Sequence, residues 1–209
     1  MIAIALLTMS ICAVFAGSAS AHEFKFEVKP MRVLAEQTGA FTFESGGGVM
    51  TCKVAHFEAT TSATSLAELK LAPTFTDCTM VGLKIAIKMN GCIYAISGAT
   101  DKNEHGQLTL ECGAGKQMEM VVGEPLNYCT AKFSSNTAAN GVHFTNSGSG
   151  STRVFTATFT AMNLPYETSG KNCAFFGNGK DESLTGAVVF NGFEDIGGEI
   201  GKRAGIWVE

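Results

Sequence analysis

Two residue sets in this chain could do chemistry. The first is six cysteines outside the N-terminal segment: Cys52, Cys78, Cys92, Cys112, Cys129 and Cys173. No C-x-x-C pair exists and each cysteine stands alone on its own segment, which disfavours a thiolate metal cluster. An even count in an exported chain reads as disulfides. The second is His22. As a mature N-terminus it would offer copper its α-amine and an imidazole nitrogen, a donor set suited to Cu(II). A second histidine would complete a brace, and the sequence names no partner for it.

Other motifs carry less. "ECGAGKQ" (111–117) and "FGNGKDE" (176–182) contain Gly-x-Gly-Lys. Both lack the first Gly, the Ser/Thr and the following helix of a phosphate loop, so they read as tight turns. "KDE" (180–182) and "FED" (193–195) lack the regular Asp-x-Asp spacing of a calcium loop and read as solvated turns. There is no G-x-S-x-G elbow and no H-E-x-x-H. His105 is expected at a loop tip and His143 facing solvent. His56 is expected half-buried, on one strand face with Cys52 and Val54. No catalytic residue, cofactor or metal site is therefore assigned.

The elements that must position these residues begin after residue 21. Ile2 to Ala16 is almost wholly apolar and uncharged, and Ala19 and Ala21 occupy A-x-A positions. This is the pattern of a secretory signal peptide over 1–21, although its start carries no Lys or Arg. Residues 22–209 are expected to form a single domain, with a weak division at 123–126. No transmembrane segment is expected in that mature chain. Fifteen Lys and Arg against 19 Asp and Glu give a net charge of −4. The cations are scattered, which argues against a nucleic-acid partner.

Period-two alternation then recurs: "FKFEV", "FTF", "VMTCKVAHFE", "GLKIAIKM", "KQMEMVV", "VHFTN", "RVFTATFTA", "GAVVFNGF" and "AGIWVE". Turn signals rich in Gly, Asn and Ser separate them, and no helical apolar period follows the signal segment. This predicts an all-β fold: an antiparallel sandwich of about a dozen strands, stapled by disulfides.

The stretch "GCIYAISGATDKNEHGQLTLEC" (91–112) is the most informative. Folding it about Lys102 pairs Cys92 with Cys112, Tyr94 with Leu110 and Ile96 with Leu108. This register matches the two apolar faces without a slip. It also brings the two cysteine Cα atoms to about 4.5 Å, within reach of a disulfide. Neighbour pairing would then join Cys52 to Cys78 and Cys129 to Cys173, among the ~15 connectivities six cysteines allow.

"TFTDCTMVGLKIAIKMNGCIYAI" (74–96), "ECGAGKQM" (111–118) and the strand at 128–133 resemble a group of uncharacterised secreted, cysteine-containing all-β bacterial proteins. The resemblance covers about the middle half of the chain. It implies an exported, disulfide-bonded β-protein and no known activity. His22-Glu23-Phe24-Lys25 is similar, at its first residue alone, to secreted copper-dependent polysaccharide monooxygenases. The expectation is thus a secreted or cell-surface, non-enzymatic binding or structural domain with an extracellular or cell-surface ligand. The alternative is a copper-dependent oxidative enzyme built on His22.

Overall fold

A computed structural model describes residues 22–98, 105–123, 126, 128–160, 165–176 and 183–209. Seventeen strands run through these residues in chain order. The first six are β1 (Phe24–Phe26), β2 (Met31–Gln37), β3 (Phe41–Ser45), β4 (Gly48–Thr61), β5 (Ser65–Leu66) and β6 (Glu68–Met80). Next come β7 (Leu83–Lys88), β8 (Ile93–Ser97), β9 (His105–Glu111), β10 (Met118–Val122), β11 (Cys129–Phe133) and β12 (Asn136–Ser147). The last are β13 (Val154–Phe159), β14 (Tyr166–Gly170), β15 (Ser183–Ile196), β16 (Glu199–Ala204) and β17 (Ile206–Val208). Helix is confined, among the described residues, to two 3₁₀ turns, Gly150–Thr152 and Cys173–Phe176.

The architecture is not the expected sandwich. Strands β2, β4, β6, β8, β9, β12, β13 and β15 pair in a ring, because β4 pairs with both β2 and β6, and β15 with both β13 and β2. Ring closure leaves no free edge, and eight strands make a barrel just wide enough for side chains to fill. The inward positions do fill it, with Phe57, Phe75, Tyr94, Phe144, Phe155, Phe159 and Phe190 all buried. Small residues share that interior, among them Ala35, Ala55 and Ala157. Alternation marks individual strands, but a period of two is the same for a sandwich and a barrel.

β3 follows β2 in the ring, pairing like it with both β4 and β15, and three additions surround the ring. Strands β7, β10, β11 and β14 continue from the C-terminal half of β6 as a four-stranded wing. Its apolar face (Met118, Met120, Val122, Phe133) joins the same core cluster as the barrel. β10 and β11 pair residue for residue from Met118↔Phe133 to Val122↔Cys129. The weak division expected at 123–126 lies in sequence between these two strands, partly outside the described residues. Strands β1, β5 and β17 form a small sheet, with Phe24 and Phe26 buried, that caps one barrel end. Glu23 and Glu209 exchange both backbone hydrogen bonds, at 2.6 and 2.9 Å, so the two ends of the described chain lie together. Finally, β16 pairs with β15 alone.

The disulfides are Cys52–Cys78, Cys92–Cys112 and Cys129–Cys173. In the β8–β9 hairpin, Tyr94 pairs with Leu110 and Ile96 with Leu108. Further along the same ladder, Cys92 and Cys112 have Cα atoms 4.1 Å apart. Cys52 and Cys78 are direct cross-strand partners on β4 and β6, two strands whose pairing closes the ring. Cys129–Cys173 ties the wing to the 3₁₀ turn over a separation of 44 residues.

Candidate functional site

The structure scatters most of the residues singled out by sequence. Lys116 closes a turn by donating its N–H to the Gly113 carbonyl, with Gly115 at φ 69°. The turn lines a depression of about 340 Å³ with Asn90, Glu119 and Lys132. Asp195 accepts a hydrogen bond from the Gly198 amide, 2.7 Å, and so caps the β15–β16 turn. Asp181, Glu182 and Lys180, the lysine of the second Gly-x-Gly-Lys, lie outside the described residues. Among the described residues no three His, Cys, Asp or Glu side chains gather as a metal site.

His56 is half-buried as expected, but its face is not that of Cys52. On β4 the inward set runs Met50, Cys52 and then Ala55, Phe57, Ala59, with Lys53 and Val54 both exposed between. The partner strand changes phase at the same level, Thr76 and Asp77 being exposed between Phe75 and Cys78. Asp77 adopts φ 52°, a left-handed conformation that Asp tolerates. The paired kink turns Val54 and His56 outward while Cys52 stays in the core.

His22 sits at the capped end of the barrel, its carbonyl packed so closely on Gly98 that no Cβ would fit there. His105, expected at a loop tip, and His143, expected to face solvent, are direct cross-strand partners on β9 and β12. Both are half-buried. Nothing in the linear spacing of 105 and 143 signals this pairing.

The best-built surface lies on the outer face of the cap. β17 carries the single tryptophan of the chain, Trp207, between the buried Ile206 and Val208. Its cross-strand partner on β1 is Lys25. The Arg153 guanidinium lies 4.6 Å from the indole centroid, a cation–π contact. Glu209, on the same face two residues on, accepts from the indole N–H at 3.4 Å. Glu23 accepts from Lys25 at 2.7 Å. That hydrogen bond and the Lys25 charge, with a further hydrogen bond from Ser65, hold the Glu23 carboxyl below its ordinary range.

This face is fixed from beneath. The Asn146 side-chain amide donates to the Val208 carbonyl (2.7 Å) and accepts from the Val208 amide (2.9 Å), replacing a strand on that edge. Glu27 accepts from the Gly205 amide at 2.5 Å, and Arg153 accepts from the Ile206 amide at 3.0 Å through its carbonyl. Asn146, Arg153, Trp207 and Glu209 line a depression of about 280 Å³. It offers an aromatic ring, charges of both signs and an amide side chain without a nucleophile–base pair. Such a lining suits recognition of a polar ligand more than bond-breaking.

Fold and site together define a disulfide-stapled, eight-stranded β-barrel with a solid core and a polar, aromatic outer face. Compared with protein families, curated proteins and solved structures, the chain matches none of them. Three disulfides suit an oxidising compartment. Among the described residues no helix is long and apolar enough to cross a membrane.

Proposed function

We infer that this chain is an exported, non-enzymatic binding or structural module, secreted or held at the cell surface, that engages an extracellular ligand through the Trp207 face. The signal-peptide pattern over 1–21 and the disulfides support export. The observation that carries binding at the surface is the filled barrel. Its inward positions are occupied by rings and methyl groups, so a ligand meets the described part of the molecule from outside. The Trp207 face combines an indole with Lys25, Arg153, Glu23 and Glu209, the mix of apolar plane and hydrogen-bonding groups that holds sugars and other polar polymers. Its backbone is locked by Asn146, so little conformational entropy is lost on binding.

The single tryptophan makes the test direct. The exported protein is titrated with a panel of soluble cell-surface and extracellular polysaccharides while Trp207 emission is followed. The reading predicts a saturable change with at least one of them, and loss of binding, followed by calorimetry because Trp207→Ala removes the fluorescent reporter, on Trp207→Ala and Arg153→Ala with folding intact by circular dichroism. Binding that survives both substitutions would place the ligand site elsewhere. Turnover of the polysaccharide would make the protein an enzyme.

A further inference from the structure

We propose that His105 and His143 form a two-imidazole site for a divalent transition metal on the outer wall of the barrel, independent of the Trp207 face. The two residues are directly opposed on adjacent strands. Their rings meet edge to face, centroids 5.4 Å apart and planes at 69°. In a tetrahedral site with metal–nitrogen bonds near 2.0–2.1 Å, two ligating nitrogens stand about 3.3 Å apart. Because the two residues are already opposed on one face of the ladder, the closure that the proposal needs is one of side-chain rotation.

The juxtaposition is built by an irregularity in the ladder. From Asn136↔Leu110 to Ala138↔Leu108 the β12–β9 register is regular. Then Val142, not Asn140, pairs with Gly106, so β12 spends two extra residues before the ladder resumes. Without that bulge His105 would face residue 141, a glycine. With it His105 faces His143, and because the shift is even, Val142 and Phe144 still point into the core. Bulges of this kind re-aim side chains and are over-represented beside functional sites.

The support under the pair is stiff. Val142 and Phe144, flanking His143, are buried. Gly106, next to His105, lets the Phe144 ring and the Ser97 carbonyl pack where a Cβ would stand. Rigid flanks keep both imidazoles on one patch, the pre-organisation a two-ligand site needs. Among the described residues no third His, Cys, Asp or Glu completes a set of three. The proposed site needs two protein nitrogens, its other coordination positions being open to water or to a donor brought by a ligand. Imidazole pairs favour copper and zinc over magnesium and calcium, and Cu(II) binds more tightly than Zn(II).

The test uses the exported protein without a histidine tag. Cu(II), Zn(II) and Mg(II) are titrated calorimetrically, and imidazole proton resonances are followed with substoichiometric Cu(II). The expected result is one saturable site, tighter for Cu(II) than for Zn(II) and absent for Mg(II). It should be lost in His105→Ala and in His143→Ala, and retained in His22→Ala and His56→Ala. Copper should broaden the His105 and His143 resonances first in the wild-type protein, a readout that needs no variant to fold. No saturable site, or a site lost on His22→Ala, or broadening that begins at His22, would overturn the proposal.

Discussion

Val81 is a β-branched residue in a left-handed conformation, φ 50°, followed by Gly82 at φ 77°. The two residues form the tight turn between β6 and β7, where Met80 pairs with Leu83. The chain contains its own control. Asn90 and Gly91 adopt φ 51° and 82° in the next turn, where the Cys92 amide returns to the Met89 carbonyl at 2.7 Å. Asn-Gly is the pairing such turns prefer, since Asn tolerates φ > 0 and Val does not. Val81 is 70% exposed, so packing does not offset the strain. Val81→Asn should therefore raise stability by about 1 kcal/mol, read as a shift of the urea midpoint at unchanged slope. A midpoint that stays or falls would mean that Val81 makes a contact the isolated chain does not reveal.

Acid titration acts at the same scale. The Lys25 hydrogen bond and charge depress the Glu23 pKa below its ordinary value. A depressed carboxylate stabilises the fold fully above its ordinary pKa. The contribution is lost as pH falls through the lower, folded-state value. Glu23 flanks the β1–β17 cap, so the wild-type protein should lose more stability between about pH 6 and pH 3 than Glu23→Gln does. Urea midpoints of the two proteins at both pH values decide it. Because the Glu23 side chain is 42% exposed, solvent screens the pair and the difference should be small. Equal losses would show that the Lys25 pair contributes nothing.

At the level of elements, the hairpin β8–β9 shows what a sequence can specify. Cysteines at both ends and apolar residues at even spacing point to one register, and the structure has it, from Tyr94↔Leu110 to the Cys92–Cys112 bond. Replacing both cysteines by alanine should cost about 2–5 kcal/mol in denaturant unfolding, because the bond closes the loop that the register already demands. A loss well under about 1 kcal/mol would assign register to the apolar pairs alone. Strands whose pattern is irregular are harder to read. β6 changes face at Thr76–Asp77, so its alternation breaks midway. β2 carries Leu34 on its outer side, blurring the contrast with Met31, Val33 and Ala35. β14 buries Tyr166 alone, and β16 buries Ala204 alone. The site residues are less legible still. Lys25, Arg153 and Trp207 come from three segments, and His105 meets His143 through a bulge; neither arrangement follows from periodicity along one strand.

For the whole molecule, the step from strands to architecture depends on pairings between distant segments. A sandwich and a barrel can share every strand here; what separates them is whether β4 reaches both β2 and β6, and β15 both β13 and β2. One covalent mark records part of that closure. Cys52–Cys78 joins β4 to β6 across the barrel wall, as direct partners in the ladder. Cys92–Cys112 records the neighbouring hairpin, and Cys129–Cys173 the attachment of the wing. The same pairings place Trp207 on the outside of a filled barrel, so the functional reading rests on them too.

Peptide mapping of the unreduced protein tests this account most directly. Digestion without reduction, followed by mass spectrometry, should yield three linked pairs: Cys52 with Cys78, Cys92 with Cys112, and Cys129 with Cys173. Alkylation under denaturing, non-reducing conditions should label none of the six. A peptide linking Cys92 to Cys78 or to Cys129, or a labelled Cys52, would contradict the register of the wall and with it the closed barrel.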